Sequence, residues 1–149
     1  MISGHREDEN LIEAKMREIY SSEVVGHVLH PRNLGDMKNA DAFGKITGPC
    51  GDTMEIWLKV NGGVVIAASF ATDGCAATIS TGSIVTELIK GKTVGEVLRV
   101  SQQDILGALG GLPEGNQHCA LLTADTLKKA AKDYLAFQKE PWKRAYRKH

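Results

Sequence analysis

The chemistry available to this chain is concentrated at three cysteines, Cys50, Cys75 and Cys119. Gly48 and Gly51 flank the first and Gly74 precedes the second, giving the backbone freedom that a tight ligand loop needs. Two more donors stand beside them: Asp52 follows Cys50 by two residues, and His118 immediately precedes Cys119. Three thiolates with one imidazole or carboxylate make a four-ligand set suited to Zn(II) or to an iron–sulfur centre, because soft sulfur selects against Mg and Ca. One hard or exchangeable ligand among thiolates leaves a point where an outside ligand can enter, so the set reads as labile. Three thiols do not form a closed disulfide framework, and in a reducing compartment thiols serve more often as ligands or nucleophiles.

Donors so far apart in sequence need elements that bring them together. Met54, Ile56, Leu58 and Val60 alternate with Glu55, Trp57 and Lys59, which predicts a half-buried strand, and Val64 to Thr72 is its β-branched partner. Asn61-Gly62-Gly63 between them is a hairpin turn. With Gly62-Gly63 as the turn, Cys50 stands opposite Cys75; with Asn61-Gly62 the offset is two residues. Either register brings two sulfurs to the same open end of the sheet. A helix is predicted after Gly74, with Ile79, Ile84, Val85, Leu88 and Ile89 on its inner side and Gly91 as its stop. A last helix runs from about His118 to Gln138, with Ala124, Leu127, Ala131 and Tyr134 inward, and places Cys119 at a helix N-terminus, where the dipole favours thiolate.

Outside this core, residues 8 to 29 carry a helical rhythm (Ile12, Met16, Ile19, Tyr20, Val24, Val28, Leu29) for one helix or two, ended by Pro31. A loop from His30 to Gly51 holds one short strand near Phe43 to Ile46. Thr93-x-x-Glu96 and Ser101-x-x-Asp104 read as capping boxes of two short helices. Strands in one block with helices before and after predict an α+β fold: a small three-stranded antiparallel sheet, helices packed on one face, and the metal site at one end. His5, His27, His30 and His149 read as surface or loop residues, because no ligand-type neighbour stands beside them.

At 149 residues the chain is expected to form a single domain over 1–149. Its 18 basic and 18 acidic residues cancel, which argues against nucleic acid or an acidic membrane as partner. No uncharged apolar run approaches the ~18 residues of a membrane span, and the charged N-terminus resembles no secretory or transit signal. The expected setting is soluble and cytoplasmic.

Four segments carry a resemblance: HPRNLG at 30–35, GPCGDTMEIWLKV at 48–60, FATDGCAATISTGSIVTELIKGKT at 70–93 and HCALLTADTLKKAAKDY at 118–134. Together they resemble the iron–sulfur cluster assembly scaffolds of the IscU/NifU family, over a core of about 24–138 that leaves a basic tail at 139–149. The resemblance implies a scaffold or carrier and not an enzyme. Cys50, Cys75 and Cys119 would hold a [2Fe-2S] cluster built from Fe(II), with Asp52 or His118 as the fourth, exchangeable ligand. A cysteine desulfurase would deliver persulfide sulfur, with Cys119 as first choice of acceptor for its helix-terminal position. An electron donor such as a ferredoxin and apo iron–sulfur acceptor proteins complete the implied partners, and an exposed cluster could be bridged by a homodimer. Family members bind Zn(II) in the same pocket when no cluster is present.

The stretch before the HC pair is Leu112-Pro113-Glu114-Gly115-Asn116, where scaffolds served by a dedicated Hsp70 and J-protein pair carry LPPVK, so the resemblance does not extend to that chaperone recognition. The 44-residue step from Cys75 to Cys119 and the presence of His118 set the chain apart from the SufU branch. Two other readings compete. In one, Zn(II) on the same residues simply organises an adaptor module. In the other, Cys119 is an enzyme nucleophile with His118 as base, but neighbouring helical residues point about 100° apart and align poorly as a dyad.

Overall fold

A computed structural model describes residues 2–142 of the chain. The basic tail residues Lys143, Arg144, Arg147 and Lys148, together with His149 and the side chain of His5, lie outside the described residues. Along the chain run α1 (Ile2–Ile19), α2 (Ser22–Leu29), β1 (Ala42–Thr47), β2 (Thr53–Asn61), β3 (Val64–Thr72), α3 (Ala76–Leu88), α4 (Val94–Val97), α5 (Gln102–Ala108), a 3-10 turn (Glu114–Asn116) and α6 (Gln117–Lys139). The first helical stretch is therefore two helices. The chain breaks at Tyr20-Ser21, where the Ser21 hydroxyl accepts from the Val24 amide at 3.1 Å and starts α2 afresh. Both expected capping boxes are present, Thr93 with Glu96 on α4 and Ser101 with Asp104 on α5.

The three strands form one antiparallel sheet in the order β1-β2-β3. Gly62 and Gly63, with φ of 60° and 78°, make the β2–β3 turn, a backbone shape that L side chains resist. The register starts as that turn dictates, pairing Val60 with Val65, but shifts by one at Lys59/Val60, so that Met54 pairs with Thr72. Cys50 is thus not squarely opposite Cys75. It lies instead in the five-residue connection between β1 and β2.

One row across the sheet shows where the helices pack. Gly44, Ile56 and Phe70 are register partners and share a face. A Cβ on Gly44 would stand 2.5 Å from the Thr126 carbonyl of α6, and one on Gly82 of α3 would stand 2.3 Å from the Phe70 ring. Both helices therefore press on the same face, over the buried Met54, Ile56, Leu58 and Phe70. The neighbouring row, Phe43, Trp57 and Ser69, faces the other way, with the Phe43 and Trp57 rings 5.1 Å apart. Helix α6 also blunts the β1 edge: Asp133 accepts from the Phe43 amide at 3.0 Å and Lys129 donates to the Lys45 carbonyl at 3.0 Å.

Two expectations need correction. On α3, Val85 and Ile89 are buried as predicted, but Ile79, Ile84 and Leu88 are only partly so, while Thr78, Ser80, Thr81, Ser83 and Thr86 are fully enclosed. The helix is covered by the sheet, α2, α5 and α6 at once, and small hydroxyl residues allow that close approach by satisfying themselves locally. Ser80, Thr81 and Thr86 each donate to the carbonyl three residues back at 2.7 Å. His27 is not at the surface either. It is 7% exposed, with Nδ1 2.6 Å from the Ser83 hydroxyl, which also accepts from the Arg32 amide at 2.9 Å.

Among the described residues no helix is long and apolar enough to cross a membrane.

Two predictions follow from this packing. Gly44→Ala must push α6 off β1 and should destabilise the protein by about 1–3 kcal/mol in chemical denaturation; an unchanged midpoint would contradict the close approach. Burial, aided by Arg32 and opposed by Glu87, holds the His27 pKa below its usual 6.5. The unfolded chain then takes up the proton first, so the stability from neutral His27 is complete above pH 6.5 and lost as pH falls through the lower folded value. Denaturation midpoints measured between pH 7.5 and 5.5 should fall for the parent and change less in His27→Gln.

Candidate metal centre

The five sequence-predicted donors arrive from three places at the end of the sheet where β1 stops and β2 starts. Cys50 and Asp52 ride on the β1–β2 connection, closed by the Gly48 amide on the Asp52 carbonyl at 2.8 Å and the Gly51 amide on the Gly48 carbonyl at 3.0 Å. Gly51 has φ of 89°, which that tight turn requires. Cys75 is the N-cap residue of α3, two residues beyond the Asp73 carboxylate that accepts from the Thr53 amide at 2.7 Å. His118 and Cys119 lie in the first turn of α6, whose N-cap residue Asn116 makes no side-chain capping bond. Strand pairing and two helix starts thus collect residues up to 69 positions apart.

Thr78 sits at the centre of this group. Its hydroxyl is 3.3 Å from the Cys119 sulfur, 3.4 Å from Asp52 Oδ2 and 3.8 Å from the Cys75 sulfur. His118 Nε2 is 3.8 Å from the Cys119 sulfur. Cys50 lies within electrostatic reach of Cys119. Cys50, Cys75 and His118 are exposed, Asp52 is half-buried, and Cys119 is buried at 1% exposure. Among the described residues, no three His, Cys, Asp or Glu side chains already converge tightly enough to hold one metal ion. The donor set is gathered around a common mouth but not drawn together, and its chemistry, three thiols with a carboxylate and an imidazole, fits a soft metal or a cluster of more than one iron.

The thiols are not equivalent. Burial pushes the Cys75 thiol up, but the amides of Thr78 and Ala77 and the Thr78 hydroxyl outweigh it, and its pKa falls below the usual 9.0. These amides face the sulfur without closing a regular side-chain cap. Burial pushes Cys119 above 9.0, and the nearby charges of Cys75, Asp52 and Cys50 add to that against the Thr78 hydroxyl. The first-turn position expected for Cys119 is correct, yet the thiolate bias expected to come with it belongs to Cys75, because enclosure outweighs the helix dipole.

Two residues of the site escaped the sequence reading. Thr78 is one helical turn beyond Cys75, a spacing that could have marked it. Tyr20, read as part of an apolar helix face, has its pKa raised by burial and then by the charges of Cys75 and Cys119, so the α1–α2 junction lies within electrostatic reach of the thiols. Nothing in its local sequence signals that. In the metal-free protein at pH 7.5, iodoacetamide should modify Cys75 well before Cys119, read by peptide mass spectrometry; Cys119 reacting as fast as Cys75 would refute its enclosure.

Residues 19–141 match the family described as NifU-like N terminal domain. Iron-sulfur cluster assembly scaffold protein IscU 1 of Archaeoglobus fulgidus is 44% identical over 117 residues, covering 78% of this chain and 76% of that protein. Iron-sulfur cluster assembly scaffold protein IscU of Escherichia coli K12 is 39% identical over 120 residues, covering 77% and 93%. Among solved structures, a nitrogen-fixing NifU-like protein (N-terminal) from Brucella abortus superposes with a TM-score of 0.63 at 21% identity, covering 81% of this chain and 97% of that one, a likeness of fold. With the family pattern matched over 123 of its 149 residues, the chain belongs to the IscU/NifU family of NifU-like N-terminal domains.

Proposed function

We propose that this chain is a scaffold for iron–sulfur cluster assembly, a carrier and not a turnover enzyme. What supports the reading is that Cys75, Cys119, Asp52 and His118 cluster around Thr78 at one sheet end with Cys50 within electrostatic reach, in a chain whose relatives at 44% and 39% identity bear the scaffold name. In this reading the three thiolates bind a [2Fe-2S] cluster as cargo, and Asp52 or His118 fills the fourth position. A carboxylate or imidazole there exchanges with an incoming ligand more readily than a fourth thiolate would, which suits a cluster that is to be handed on to apo-proteins. Zn(II) suits the same donors when no cluster is present.

Sulfur is supplied as a persulfide by a cysteine desulfurase. The acceptor thiolate attacks the outer sulfur, the S–S bond breaks, and the desulfurase cysteine leaves as thiolate. Reducing each transferred sulfur to sulfide takes two electrons, the part of a ferredoxin-type donor. Cys119 is the proposed acceptor, and its burial has a consequence: at 1% exposure its surroundings must open before a protein-borne persulfide can reach it. The same movement would let a second copy share an exposed cluster. This work belongs to the cytoplasm, where a reducing pool keeps the thiols free.

The test is iron and acid-labile sulfide per chain after anaerobic incubation with Fe(II), cysteine, a reductant and a catalytic amount of cysteine desulfurase. Near-equal iron and sulfide, lost together in Cys75→Ala, is the expected result, with Asp52→Ala slowing transfer to an apo-acceptor. Background sulfide with retained zinc would replace the scaffold by a zinc-organised module, and faster cluster loss in Asp52→Ala would remove the release role of that carboxylate.

A further inference from the structure

The buried hydroxyl of Thr78 has an unusual duty. Its neighbours on α3, Ser80, Thr81 and Thr86, spend their protons on carbonyls three residues back, as buried helical hydroxyls do. Thr78 is fully buried and turns its hydroxyl the other way, toward Cys119 at 3.3 Å and Asp52 at 3.4 Å. The chain makes room for this: a Cβ on Gly74 would stand 2.7 Å from the Thr78 side chain, so only glycine at 74 leaves the threonine in place. One floor below, Thr81 bonds both the Thr78 carbonyl and Thr123 of α6, each at 2.7 Å, which pins the backbone from which Thr78 projects.

A hydroxyl has one proton, and Cys119 and Asp52 compete for it at 3.3 and 3.4 Å, with the Cys75 sulfur farther off at 3.8 Å. Whichever of them receives it, the others remain within reach, so the carboxylate on the β1–β2 connection and the sulfur on α6 are held to a common point. We infer that Thr78 is a positioning residue of the metal centre, its shared proton orienting Asp52 and Cys119 toward the same metal and biasing which of Asp52 and His118 completes the ligand set. Hydrogen bonds to ligand atoms are a recognised means of orienting them and tuning the metal they hold. This inference rests on the scaffold reading for what the centre carries, but not for the arrangement of its ligands.

The experiment uses Co(II) as the probe, with the full chain, Thr78→Val and Thr78→Ser. Valine keeps the shape and removes the proton, while serine keeps the proton. Expected are a roughly ten-fold weaker Co(II) affinity in Thr78→Val, altered d–d bands reporting a changed ligand set, and restoration of both in Thr78→Ser. A merely structural threonine would change the melting temperature and leave the bands unmoved. Equal affinity and identical bands in the parent and Thr78→Val would overturn the inference while leaving cluster assembly untouched. Parent-like failure of both variants to differ in Co(II) spectra, with cluster assembled, speaks only against Thr78; the expected Co(II) differences with no sulfide ever incorporated speak only against the scaffold. Should Thr78→Val not fold, Gly74→Ala, which displaces the Thr78 side chain without removing it, must shift the same bands, and unmoved bands there would overturn the inference.

Discussion

Everything about the candidate centre depends on how closely two helices approach one sheet. At Gly44 the α6 backbone lies where a methyl group would otherwise be, and at Gly82 the Phe70 ring does the same against α3. These contacts set the heights and angles of both helices over the sheet, and both helices begin at the edge where β1 hands over to β2. Cys75 and Cys119 are therefore positioned by the packing of the whole domain face, whereas Cys50 and Asp52 are positioned by a short connection with two internal hydrogen bonds. A centre built half on packed helices and half on a turn combines a fixed wall with an adjustable one.

That division also separates the chemistry. The enclosed Cys119 and the exposed Cys50 and Cys75 differ in what can reach them, and the same enclosure that raises the Cys119 thiol leaves the helix-start amides to favour Cys75. Negative charge on the neighbouring sulfurs opposes ionisation of both Cys119 and Tyr20, and a cation at the mouth would offset that effect.

Much of this was legible in the residues. The β2 strand from Met54 to Val60, the Asn61-Gly62-Gly63 turn and the two capping boxes each act through neighbours in sequence and are present as expected, although Trp57, on the row expected to be outward, is buried and Val60 only partly so. What could not be read depends on what a segment meets in space. The register shift at Lys59/Val60 leaves no trace in the hydrophobic periodicity of either strand. The inner face of α3 looked apolar on a wheel, but enclosure on several sides favours small hydroxyl residues that pair with their own backbone. His27 and Tyr20 had no telling neighbour in sequence; their partners, Ser83 and the thiols, come from elements that fold in later.

The crossing of α6 over Gly44 has a mechanical side. The helix touches β1 most closely near Thr126 and Ala130, and Cys119 lies about 13 Å toward its N-terminus from that point. About that point, a tilt of the 23-residue helix by roughly 5° would carry the thiol about 1 Å. That travel is comparable with the margin between a made and a broken bond to Thr78. The close contact at Gly44 therefore limits how far α6 can tilt, and with it how far the Cys119 sulfur can stray from Thr78.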